Sequence, residues 1–140
     1  MFRHEKPQKG RYRQFSQFGA EYFGFSDTNS DVELLMMGDF LLKELNVENA
    51  KLHINSLGNM EDKERYEKII FDHLSAKKNS LDEHQKDTLA KNPLRLLDSK
   101  NDNVKEILSN IPTLYETLSA LSKNRFDMLM SKLDSLKINY

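Results

Sequence analysis

Phe2-Arg3-His4-Glu5-Lys6-Pro7-Gln8-Lys9-Gly10-Arg11-Tyr12-Arg13-Gln14-Phe15-Ser16-Gln17-Phe18-Gly19 is the stretch on which the reading of this chain turns. Pro7-Gln8-Lys9-Gly10 carries turn chemistry, because proline fixes φ and glycine permits φ > 0. Beyond it, Arg11 to Phe18 is rich in aromatic residues and alternates as a strand does. Side chains on a strand point to opposite faces in turn. Arg11, Arg13, Phe15, Gln17 and, if the extended run continues, Glu21 therefore share one face. Tyr12, Gln14, Ser16, Phe18 and Tyr22 share the other. On the first strand Arg3 and Glu5 fall together. One face of a two-stranded ribbon thus gathers arginines, a ring, an amide and a carboxylate. Guanidinium forks match phosphate oxygens and a ring stacks on a base, so this set suits an anionic, nucleotide-like ligand. Gln17 and Glu21 suit a second, polar ligand with a cationic or N–H group. The same pattern also fits a solvated hairpin with a basic turn.

Working outward, composition changes along the chain. All five glycines lie in the first 58 residues, and seven of the 13 aromatics lie in residues 1–25. Residues 1–14 carry five basic groups against Glu5 alone, while the remainder carries 16 basic and 21 acidic groups. A basic, aromatic head is followed by an acidic, glycine-free body, with a boundary near Gly58. The whole chain has a net charge of −1, so overall charge gives no argument for nucleic-acid or membrane binding. Cysteine is absent, which excludes disulfides, thiolate metal sites and cysteine nucleophiles. No apolar run reaches the roughly 20 residues of a membrane span, and Met1 to Lys6 lacks the apolar core of a signal peptide. A cytoplasmic location is expected.

Asp27 to Asp31 offers helix N-caps, and Val32, Leu35, Met36, Leu41, Leu42 and Leu45 predict a largely buried helix to about Leu45. Leu52-His53-Ile54-Asn55 reads as a short strand. After Gly58 the period becomes helical, with Tyr66, Ile69, Ile70, His73 and Leu74 on one face. Ser80-Leu81-Asp82-Glu83 has capping-box spacing and starts a helix to about Lys91, which Asn92-Pro93 ends. Two further helical stretches carry Leu114, Leu118 and Leu121, then Phe126, Leu129, Met130 and Leu133. His4, His53, His73 and His84 fit no standard zinc spacing, and no metal site is expected. Met128 and Met130 beside Phe126 read as helix packing. Glu61-Asp62-Lys63-Glu64 reads as a favourable helix N-terminus.

The run from Phe2 to Gly19 resembles motif 2 of the class II aminoacyl-tRNA synthetases, and in detail is similar to the histidyl-tRNA synthetase family. Leu52-His53-Ile54-Asn55-Ser56-Leu57-Gly58 and Asn92-Pro93-Leu94-Arg95-Leu96-Leu97-Asp98-Ser99-Lys100 agree, in the expected order. The resemblance implies an α+β fold: a partial class II antiparallel sheet (motif 2 hairpin, helix, strand) over residues 1–58, then an all-helical insertion domain over 59–140. It implies that Arg3 holds the ATP α-phosphate and the histidine carboxylate, and is the catalytic residue. Glu5 lies near the adenine amino group, Phe15 stacks on adenine and Arg11 meets the terminal phosphates. Gln17 and Glu21 bind histidine at its amino and imidazole groups. Gln8 and Lys9, on the turn, meet the tRNA acceptor end. The implied reaction forms histidyl-adenylate from histidine and ATP, with Mg²⁺ travelling with ATP, and then transfers histidine to tRNA(His).

Ser16 departs from the family, which commonly has histidine there; its even parity puts it off the ligand face. By the same resemblance, motif 1, motif 3, the second histidine-binding motif and the anticodon-binding domain fall outside these 140 residues. The isolated chain is therefore expected to be inactive in aminoacylation, and the family's homodimer is uncertain for it. Two other readings are a non-catalytic synthetase-like paralogue of histidine biosynthesis, which generally lacks the insertion domain marked by Asn92 to Lys100, and an independent tRNA-binding module.

Overall fold

A computed structural model describes residues 1–4, 6 and 8–140. Its regular structure is helical: α1 (Thr28–Glu44), α2 (Met60–Ala76), α3 (Glu83–Lys91), α4 (Asp102–Leu108), α5 (Leu114–Thr117) and α6 (Ala120–Ser135), with 3₁₀ turns at Lys78–Ser80 and Pro93–Asp98. The expected α+β fold with an antiparallel sheet is not what forms. Among the described residues strand pairing is limited to two isolated antiparallel bridges, Phe2 with Gln14 and Gln8 with Arg11. Leu52, Ile54 and Ser56 are half-buried while His53, Asn55 and Leu57 are exposed, so the predicted alternation of faces is present without a ladder. The physical reason is that a strand is stabilised by a neighbour, and a two-stranded pairing alone is marginal in water.

The core comes from the helical period after Gly58. Tyr66, Ile70 and Leu74 on α2 pack with Leu81, Leu89, Leu96, Val104, Ile107, Leu114 and Leu118 in one buried cluster. Ile70, Leu74 and Val104 are fully buried. His73, predicted on this face, is exposed, and its Nδ1 lies 3.1 Å from the Ile69 carbonyl oxygen. Capping chemistry sets the helix starts. Asn59 and Asp62 form a reciprocal box on α2, as do Thr113 and Glu116 on α5. The box on α3 is Asp82 with Gln85, two residues later than Ser80 predicted. Asn92 accordingly ends α3, and Pro93 opens the 3₁₀ turn. Helix α4, which the periodicity did not predict, is capped by the Asn101 side chain.

Helix α1 begins as expected, with Asp27 accepting from the Asn29 and Ser30 amides (2.7 and 3.1 Å). Its burial is less than predicted: only Thr28 and Val32 are buried, while Met36, Met37, Phe40, Leu42 and Leu45 are exposed. The partner of α1 is α6. Arg125 pairs with Asp31 at 2.9 Å, and Lys132 donates to the Asn29 side chain. Leu133 on α6 is fully buried and Ile138 beyond it is buried.

Candidate functional site

The N-terminal ribbon reverses at Lys9-Gly10. The Arg11 amide donates to the Gln8 carbonyl at 2.8 Å, and Gly10 takes φ +79°, the left-handed conformation that a type II turn places at its third position. The arms are joined by the Arg3 amide donating to the Arg13 carbonyl (2.9 Å) and the Phe15 amide donating to the Met1 carbonyl (3.1 Å). That register puts Arg3 opposite the Arg13–Phe15 arm. Its guanidinium carbon lies 5.1 Å from the Phe15 ring centroid, within cation–π range. A charged fork and an aromatic ring thus share one face, as odd parity predicts.

The other expected residues are less gathered. Arg11 and its bridge partner Gln8 sit at the base of the turn and Lys9 at its tip, and all three are exposed. Gln17 and Glu21 are exposed on the irregular segment that follows. Glu5 lies outside the described residues. Phe15 is half-buried, whereas Phe2 is 81% exposed and Phe18 76%. Chemically, the face offers planar hydrogen-bond donors for an anion beside a ring that can stack on a base.

Tyr22 ties the segment after the ribbon to α1, a link not read from the sequence. The Glu33 carboxylate, as an acceptor for the phenol, raises the pKa of Tyr22 above its ordinary value, with desolvation and the carboxylate's charge adding to it. Tyr22 also packs edge-on against Phe25, with centroids 5.6 Å apart. A cleft of about 880 Å³ lies elsewhere, between α1, residues 53–59 and α6; Leu35, Ile54, Phe126 and Leu129 line it, and none of the described ribbon residues does. Among the described residues no cluster of three or more His, Asp or Glu side chains is arranged to hold a metal ion. None of the described helices is long and apolar enough to cross a membrane.

Sequence comparison decides the family. The model of the histidyl-tRNA synthetase family matches residues 1–137. The chain belongs to the histidyl-tRNA synthetase family. It is 43% identical over all 140 residues to a histidine–tRNA ligase of Microcystis aeruginosa, covering 33% of that protein. The corresponding ligase of Rippkaea orientalis is 42% identical with 33% covered, and that of Prochlorococcus marinus 43% identical with 32% covered. The chain thus spans about a third of the length of these curated histidyl-tRNA synthetase relatives. The ribbon with Arg3 and Phe15 lies inside the matched region, and so do helices α1 to α6.

Proposed function

We propose that this chain supplies part of the aminoacylation site of a histidine–tRNA ligase acting on histidine, ATP with Mg²⁺, and tRNA(His), in the cytoplasm. The observation that carries the proposal is the Arg3 guanidinium set over the Phe15 ring on a basic ribbon, in a chain of the histidyl-tRNA synthetase family. In this reading residues 1–58 bear the binding groups, and the helices from residue 59 onward form an appended body. Arg3 bridges the ATP α-phosphate and the histidine carboxylate, so that two anions approach without repulsion as the carboxylate attacks phosphorus. Phe15 stacks on adenine, Glu5 accepts from the adenine amino group and Arg11 meets the terminal phosphates. Gln17 and Glu21 take the amino and imidazole groups of histidine. Gln8 and Lys9 meet the tRNA acceptor end, whose ribose hydroxyl attacks the adenylate carbonyl.

The test has two stages. An antibody to residues 59–140 sizes the native protein in source cells; a species about three times longer, in proportion to the relatives, is the form to assay. In that form Arg3→Ala is expected to lower histidine-dependent ATP–pyrophosphate exchange by about 10²–10³-fold, the range for losing one donor to developing charge. RNA affinity should barely change. Unchanged exchange in Arg3→Ala refutes the role of Arg3. Salt-sensitive tRNA binding with no exchange in the unaltered protein supports the RNA-binding reading instead.

A further inference from the structure

The chain enters the α2–α5 body at Gly58-Asn59 and leaves it at Leu118-Ser119, and both crossings meet at one side chain. Asp62, in the first turn of α2, is fully buried. On the entry side it accepts from the Asn59 amide at 3.2 Å. On the exit side it accepts from the Ser119 amide (2.8 Å), the Ser119 hydroxyl (3.1 Å) and the Ser122 hydroxyl. Arg65 pairs with the same carboxylate. Gly58, at φ +68°, leaves no room for a side chain: a Cβ there would lie 2.7 Å from Asp62 Cβ and 2.8 Å from Leu118 Cδ2.

Elsewhere the two groups of helices touch sparsely. α1 packs on α6, while α2 packs with α3, α4, α5 and the Pro93–Asp98 turn. Among the described residues α5 and α6 also meet at the rim: the Tyr115 hydroxyl donates to Asp127 (2.7 Å), its ring lies 6.0 Å from that of Phe126 and 5.3 Å from the Lys123 ammonium, and that ammonium donates to the Glu116 carbonyl (3.1 Å). We infer that Asp62 is the clasp that closes the neck of the 59–118 body and fixes its orientation against the α1–α6 pair. Two chain crossings at the base of a body make a hinge, because few backbone torsions resist its swing. A carboxylate suits the clasp because its two oxygens together offer about four acceptor sites, whereas an amide has one acceptor oxygen and two donor protons of its own. Asp62 acts as a positioning residue, and its hydrogen-bond partners are Asn59, Arg65, Ser119 and Ser122.

Spin labels on Glu44→Cys (α1) and Glu106→Cys (α4) test this in the 140-residue chain, whose lack of cysteine makes both labels unique. The parent should give a single narrow distance. Asp62→Asn should lose it to a broad distribution, with far-ultraviolet helix content kept. Ser119→Ala/Ser122→Ala should do the same while sparing the carboxylate and the α2 capping box. A narrow distance retained in Ser119→Ala/Ser122→Ala overturns the inference, whether or not Asp62→Asn folds. Loss of helix content in that double variant beyond the first turn of α6, whose N-cap is the Ser119 side chain, also overturns it, since the contact would then support the core rather than orient the body. So does a broad distance in the parent.

Discussion

Gly58→Ala adds a single methyl group where the neck is tightest. The added carbon would lie 2.7 Å from Asp62 Cβ and 2.8 Å from Leu118 Cδ2, and closer still to Asp62 Oδ2. Asp62 Cβ is one bond from the α2 backbone, so relief requires the helix itself to shift. Leu118 is buried and has little room to turn aside. Two costs add. Holding a non-glycine residue in the left-handed conformation costs about 1–2 kcal/mol, and overpacking a filled site costs about 1–3 kcal/mol. The expected loss is about 2–5 kcal/mol, a large share of the roughly 5–15 kcal/mol by which a domain is stable. Gly24→Ala is the control. Gly24 has φ +80° and nothing within 4 Å of a built Cβ, so only the conformational cost applies. Both changes stiffen the unfolded chain alike, and that contribution cancels in the difference. Urea unfolding followed by circular dichroism measures both. If Gly58→Ala proves no more destabilising than Gly24→Ala, the close approach of Gly58 to Asp62 and Leu118 is refuted.

Core truncation should separate α2's two faces: Ile70→Ala or Leu74→Ala, both fully buried, should cost about 2–5 kcal/mol, and exposed Phe71→Ala about 0.5 kcal/mol or less, by the same unfolding assay. Acid should loosen the neck. The Ser122 hydroxyl first, then the Asn59 and Ser119 amides and the Ser119 hydroxyl, outweigh burial and hold the Asp62 carboxyl well below its ordinary 3.8. Its contribution is therefore complete above 3.8 and is lost as pH falls through the lower folded value, so Asp62→Asn should flatten the acid limb of a stability–pH curve. Limited trypsin treatment should cut at exposed Arg3, Lys9 and Arg13 before it cuts within residues 59–140; equal protection of the two regions would contradict this reading.

The sequence disclosed what depends on local chemistry. Asp27 caps α1, Asn92-Pro93 ends α3, and Tyr66, Ile70 and Leu74 build the core because each is decided within a turn or two of chain. Parity placed Arg3 and Phe15 on one face correctly, since two backbone hydrogen bonds suffice to set that register. The sheet was misread because alternation at Leu52 to Asn55 states which way side chains point, whereas a ladder needs a second strand. Asp62 was read only as a favourable charge near a helix start. Its exit-side partners are 57 and 60 residues away, a separation no local pattern reports. The pairing of α1 with α6 was hidden for the same reason.

The candidate site and the neck differ in how firmly each is held. Asp62 is enclosed by donors from both crossings, and a buried charge-assisted network of this kind strengthens every member. Arg3 and Phe15 are held by a ribbon with two bridges and by a cation–π contact worth about 0.5–1 kcal/mol at an exposed site. Stabilising charge in a transition state requires donors fixed before the reaction, with supporting contacts around them. The ribbon presents the groups that the proposed role needs, but Phe2, Phe18 and Phe23 stand exposed. The catalytic role proposed for these residues therefore requires surroundings that cover those rings and fix the arm carrying Arg3. That requirement is the physical basis for expecting the 140-residue chain, taken alone, to be inactive in aminoacylation.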